Sequence, residues 1–178
     1  AITIAFNATV NVAGTPKLSL NIGRSATYVS GTGSNTLTFN YVIASGDNTN
    51  DLDYLDTSAL VLDGGSIRDT YDNNATLTLF APGQSNSLGA NKSIVVLTTL
   101  PTISIGGSNP VNIIAGDTYT DEGATATDAF GTSLSVSTIN NVPNPSTAGT
   151  YNVVYSATDA AGNTQTATRT VNVAVLVE

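Results

Sequence analysis

The sequence predicts an all-β protein made of two β-sandwiches in tandem. Apolar residues recur at every second position, and no stretch keeps the three-and-four spacing of a helix. The length of 178 residues also suits two small sandwiches better than one of about 100 residues. Hydrophobic residues make up 40% of the chain and only 10% of residues are charged. A core can therefore form, and the low charge is not a sign of disorder.

In chain order, Leu18, Leu20 and Ile22 alternate with Ser19 and Asn21, and Leu37, Phe39, Tyr41 and Ile43 alternate with Thr38, Asn40 and Val42. Both runs read as half-buried strands. The small polar run Ser30 to Asn35 between them reads as a hairpin connection. Leu60 and Leu62 lead into the turn Asp63-Gly64-Gly65. Leu77 with Leu79, then Ile94 with Val96, complete a first domain over residues 1–99, and Leu100-Pro101 opens a second over 100–178. Proline lacks the backbone donor that a central strand needs, so the linker falls there.

The second domain offers strands at Ile103 to Ile105, Val111 to Ile114, Ala124 to Thr127, Leu134 to Val136, Tyr151 to Ala157 and Thr166 to Val177. Tyr151, Val153, Tyr155 and Ala157 share one parity, and Val171, Val173 and Val175 share another, as two inward faces require. The segment Ser146 to Val153 has the form of a tyrosine corner, with the Tyr151 hydroxyl bonding backbone upstream and Tyr155 as a comparison position. The expected architecture is two tandem immunoglobulin-like Greek-key β-sandwiches.

The net charge is −8 with only five Lys and Arg, which leaves little to neutralise phosphates and excludes nucleic acid and anionic lipid as partners. With no Cys and no His, disulfides, thiolate nucleophiles, Cys-based metal sites and the usual general base are absent. No catalytic residue is expected. No apolar run reaches membrane-spanning length, and a chain beginning at Ala1 without an initiator Met reads as an excised or processed piece. Lys17 and Lys92 are the candidates for a cross-link to Asn.

One candidate site stands out. Asp47, Asp51, Asp53 and Asp56 lie in a short segment interleaved with Asn48 and Asn50, and the segment holds no Lys or Arg. Calcium takes six to eight oxygens, which such a loop can wrap around it. The alternative, a solvated acidic loop, stays open, and Asp63, Asp69 and Asp72 are the fallback for an ion elsewhere.

Two resemblances add to this reading. The run Asp117 to Asp128, with Ala148-Gly149-Thr150-Tyr151 and Ala157 to Thr164, resembles a bacterial immunoglobulin-like repeat first described from a pesticidal crystal protein. In the first half, Thr36 to Tyr41, Ser45 to Asn48, Leu60 to Asp69 and Asn73 to Leu77 resemble a repeat of long bacterial surface proteins linked to adhesion and swimming motility. Together they imply a secreted or cell-surface spacer that touches neighbouring repeats of the parent chain, with a cell-surface glycan or protein as a further partner. A carbohydrate- or protein-binding module attached to an extracellular enzyme or adhesin tip is the rival reading, with glycans as its foremost ligand. It sits poorly with a chain that has no Trp and only 6% aromatic residues.

Overall fold

The structure is a computed structural model that describes residues 1–140 and 146–175. It is all-β and immunoglobulin-like, and it divides into two compact units, Ala1–Leu97 and Thr98–Glu178.

Unit 1 runs through β1 (Ile2–Ala13), β2 (Lys17–Ser19), β3 (Ser25–Ser30), β4 (Ser34–Asn40), β5 (Asn48–Thr49), β6 (Leu60–Val61), β7 (Ser66–Asp69), the one-turn helix α1 (Leu88–Asn91) and β8 (Val96–Leu97). A six-stranded sheet has the order β6-β2-β3-β4-β1-β7, and β5 pairs with β8. The alternation read from the sequence starts at Leu18, and the structure adds the long strand β1 before it. β1 adds a partner along its length: Ile2 to Ala5 pair with β4, Val10 pairs with both β4 and β7, and Asn11 to Ala13 pair with β7. Asn7 and Ala8, poor strand formers, sit at the irregularity between Ala5 and Val10 and interrupt the pattern in the sequence.

Leu18, Leu20, Ala26, Leu37 and Phe39 are almost wholly buried in the core of unit 1. The expected strand over Leu37 to Ile43 stops at Asn40, and Val42 and Ile43 are 83% and 56% exposed. Leu77 and Leu79 pack on the core from a segment outside the strands. The hairpin between β3 and β4 turns through Gly31, where an added Cβ would lie 2.1 Å from the Thr36 carbonyl oxygen. Only glycine fits that approach.

Unit 2 contains β9 (Thr102–Ile105), β10 (Val111–Ile114), β11 (Ala124–Thr127), β12 (Ser133–Leu134), β13 (Val136–Asn140), β14 (Gly149–Thr158) and β15 (Thr164–Ala174). One sheet has the order β10-β15-β14-β13 and the other β12-β11-β9. β10 and β15 pair in parallel, and β14 and β15 pair antiparallel over their full length. Val153, Tyr155, Val171 and Val173 form the buried core of this unit. Val175 departs from the expected parity, since the strand ends at Ala174 and Val175 is 61% exposed. Val177, placed by the sequence in the last strand, lies outside the described residues.

Candidate functional site

The acidic segment of unit 1 does not gather its four carboxylates at one point: Asp47 and Asp56 bond elsewhere, and Asp51 and Asp53 come together. Asp47 is buried, and its Oδ1 accepts from Arg24 Nε at 2.8 Å. Its Oδ2 accepts from the Tyr41 hydroxyl at 2.6 Å and from the Ala44 amide at 2.8 Å. The segment itself has no cation, but the fold supplies one from 23 positions away. Asp56 Oδ1 accepts from the amide and hydroxyl of Ser58, which makes it a turn residue. Asp53 is buried and accepts from the amides of Tyr54 and Gly83, and Asp51 Oδ1 accepts from the Ile94 amide at 3.3 Å.

Asp51 and Asp53 do converge. A Cβ added to Gly89 would lie 2.9 Å from Asp51 Oδ2 and 2.8 Å from Asp53 Oδ2. Among the described residues, no group of three or more acidic side chains could hold a metal ion. The sequence expectation of calcium can be checked by melting the full chain in excess calcium and in chelator. Calcium at about 100 times its Kd would add roughly 2.7 kcal/mol. A rise in the first unit's transition that both Asp51→Asn and Asp53→Asn remove upholds the expectation, and superimposable melts discard it.

Asp47 gives unit 1 an acid-sensitive contact. The hydrogen bonds from Tyr41, then Arg24 and the Ala44 amide, hold its carboxyl down at about 2, against an ordinary 3.8. Burial, with the bond to Asp47 second, pushes the Tyr41 phenol up to about 12. A depressed carboxyl stabilises the fold above its unfolded pKa, and that contribution disappears as pH falls through the folded value. The urea midpoint of unit 1 is therefore expected to fall between about pH 4 and pH 2, and Asp47→Asn to flatten that fall. Urea titrations at both ends of the range check it.

Other aspartates shape turns. Asp69, Asp128 and Asp159 each accept, through one carboxylate oxygen, from the amides two and four residues on. This is the hydrogen bonding of an Asx turn extended by one further bond. It gives Asp128 and Asp159, and the fallback Asp69, partners inside their own loops. Lys17 Nζ pairs with Asp63 Oδ2 at 2.7 Å on a half-exposed surface, and Lys92 is exposed. Arg68 pairs with Asp72 at 2.8 Å in the cleft beside β1 and β7.

Unit 2 holds a polar cluster that the sequence reading missed. Arg169 on β15 is 1% exposed and shares the inward parity of Val171 and Val173. Its guanidinium donates to Asp121 and to the Gly106 carbonyl, reaches the Gly123 carbonyl at 3.3 Å and the Tyr119 hydroxyl at 3.4 Å, and lies 5.7 Å from the Tyr155 ring centroid. Tyr155 donates its hydroxyl to the same Asp121 oxygen. Burial, then the bond to Asp121, pushes the Tyr155 phenol up. Burial works against ionisation of Asp121, but the bonds from Tyr155 and the Gly123 amide and the charge of Arg169 outweigh it and hold its carboxyl below the usual range. The signal in the sequence was the parity: two steps back from Val171, the inward position is a charged residue. Because β15 lies in one sheet and the Gly106 and Gly123 carbonyls flank β9 and β11 in the other, this arginine ties the two sheets of the sandwich together.

The tyrosine corner is present: the Tyr151 hydroxyl donates to the Thr147 carbonyl at 3.1 Å. The bond is exposed, so water can replace it in part, and Tyr151→Phe is expected to cost about 0.5–1.5 kcal/mol. Tyr155→Phe is not the neutral comparison that its position in the sequence suggested. It removes a bond to a charged carboxylate, worth about 1.5–3 kcal/mol, so thermal melts should rank it the more damaging of the two.

Comparison with known proteins bears on unit 2. Residues 103–173 match the family model of the bacterial surface protein Ig-like domain. No curated protein matches the chain. A solved structure of a lipoprotein from Bacteroides thetaiotaomicron is similar at 25% identity over 44% of this chain and 40% of that one, with a TM-score of 0.35. The chain thus spans less than half of that lipoprotein's length. Among the described residues, no helix is long and apolar enough to cross a membrane.

Proposed function

We propose that this chain is a non-enzymatic extender segment of a bacterial cell-surface protein, spacing a functional tip that takes part in adhesion. One observation carries the reading. The charged groups buried among the described residues are engaged in internal bonds that hold the fold: Asp47 with Arg24, Asp53 with the Tyr54 and Gly83 amides, Arg169 with Asp121, and Asp159 with its own turn. The match of residues 103–173 to a surface-protein domain supports a location outside the cell.

The rival reading, a glycan-binding module, has its own support in Tyr71 and Phe80, which are 85% and 58% exposed. An experiment separates the two. The chain is displayed on a cell surface with and without a reporter tip, and capture of tip-specific beads is measured beside binding of the tip-less chain to a glycan array. An extender raises bead capture with the tip and binds no glycan without it. Saturable glycan binding that Tyr71→Ala or Phe80→Ala removes would overturn the extender reading in favour of the module.

A further inference from the structure

We propose that Asp63-Gly64 is a site of spontaneous isoaspartate formation, restrained by Lys17, whose conversion loosens unit 1; this modification is independent of the extender reading. It is the one place in the sequence where an Asp or Asn precedes Gly. That order matters because a side chain on the following residue shields its backbone nitrogen, and glycine has none. The step closes a five-membered ring. The Gly64 nitrogen bonds to Asp63 Cγ, and the protonated side-chain carboxyl loses its hydroxyl, which departs as water with the Gly64 amide proton. Water then opens the succinimide at either carbonyl carbon, which restores aspartate or routes the backbone through Cβ as isoaspartate. No oxidant, reductant or cofactor takes part.

The fold leaves this pair open to attack. Leu62 to Gly65 form a type I′ turn: Asp63 and Gly64 have φ of 49° and 81°, and the Gly65 amide donates to the Leu62 carbonyl at 2.9 Å. The bond of the turn thus falls on Gly65, and the Gly64 amide has no hydrogen-bond partner among the described residues. Gly64 is exposed, nothing lies within 4 Å of the place its Cβ would take, and the Asp63 side chain is 45% exposed, so water reaches both. One contact opposes the step. Lys17 Nζ holds Asp63 Oδ2 at 2.7 Å, and ring closure would turn that charged carboxylate into a neutral imide carbonyl. The consequence for the fold follows from position. β6 and β7 are the edge strands of the six-stranded sheet, and this turn joins them. Gly65 packs so closely that a Cβ added to it would lie 2.2 Å from the Ala13 carbonyl oxygen, which leaves no room for an extra backbone atom beside it.

The test ages the full chain in warm neutral buffer. Isoaspartate is located by peptide mass spectrometry with electron-transfer fragmentation and counted by methyl uptake from an isoaspartyl methyltransferase. It is expected at Asp63 ahead of every other aspartate, and conversion no higher there than at the others would overturn the proposal. Lys17→Met is expected to speed conversion about two- to fivefold, the range an exposed ion pair supports, and Lys17→Arg to keep the original rate. An unchanged rate in the Lys17→Met chain would overturn the role of Lys17. Should that variant fail to fold, the unaltered chain in about 1 M salt, where the screening length is about 3 Å, decides the point by the same measure: faster conversion upholds the restraint and an unchanged rate overturns it. The converted chain, separated by ion exchange, is expected to melt with the transition of unit 1 lowered and that of unit 2 in place. Superimposable melts of converted and fresh chain would overturn the loosening.

Discussion

Asp121→Ala is expected to destabilise unit 2 by about 3–5 kcal/mol, a large share of the roughly 5–15 kcal/mol that holds a domain folded. The size follows from what is left behind. Arg169 is 1% exposed, and its Nε is buried with no hydrogen-bond partner among the described residues. Removing Asp121 strands a buried guanidinium on carbonyl oxygens and an aromatic ring. The Tyr155 hydroxyl loses its acceptor in the same step. The reverse change should cost less: Arg169→Met leaves an aspartate whose side chain is 29% exposed and can take up water, while the methionine fills apolar space. The double variant Arg169→Met with Asp121→Ala should lie well above the sum of the single losses in stability, because the stranded charge is gone. Denaturant melts of the four proteins form the cycle, and an Asp121→Ala variant as stable as the wild type would show that the pair does not support the fold. The same contact should fail in acid. The Asp121 carboxyl is held below its ordinary 3.8, so its contribution is present above about pH 4 and is lost as pH falls through its depressed folded value.

The sequence and the structure agree best where alternation is long and faces a core, and less well at strand ends, where Ile43 and Val175 keep the alternation but lie outside the strands. β14 and β15 were legible because ten and eleven residues keep one parity against a core, and the tyrosine corner because its spacing fixes a bond four residues back. β1, β3 and β7 were not legible. β1 breaks its own pattern where it takes on a second partner, and β3 and β7 are short and rich in Ser, Thr, Arg and Asp. Charge proved harder to read than shape. Asp47 lies in a segment without cations, and Arg24 reaches it only after β3, β4 and the loop behind them have folded back. An acidic run read locally counts repulsions, whereas the folded chain brings in partners from a distance. Arg169 shows the converse: its place in an alternating strand already marked it as inward-facing, and a charge at such a position needs a buried counter-charge.

Phe39→Ala is expected to lower the stability of unit 1 by about 3–5 kcal/mol while leaving the transition of unit 2 where it was. Phe39 sits on β4 in the middle of the six-stranded sheet, with 0% exposure, and meets Tyr28 of β3 edge to face with ring centroids 5.9 Å apart. Truncation removes that contact and leaves a cavity among Leu18, Leu20 and Leu37, which belong to a sheet too well connected to collapse fully into the space. The core of unit 2 is built from Val153, Tyr155, Val171 and Val173 and shares none of these residues. A calorimetric scan of the full chain should therefore show one of two transitions moving down. For a unit of about 100 residues, a loss of this size lowers the midpoint by well over 10 °C. If both transitions shift together, the two cores unfold as one cooperative body, and cutting the chain at the Thr99–Pro101 linker would not yield two fragments that each fold. If only the first moves, each unit unfolds on its own core, which is the behaviour an extender made of repeated units requires.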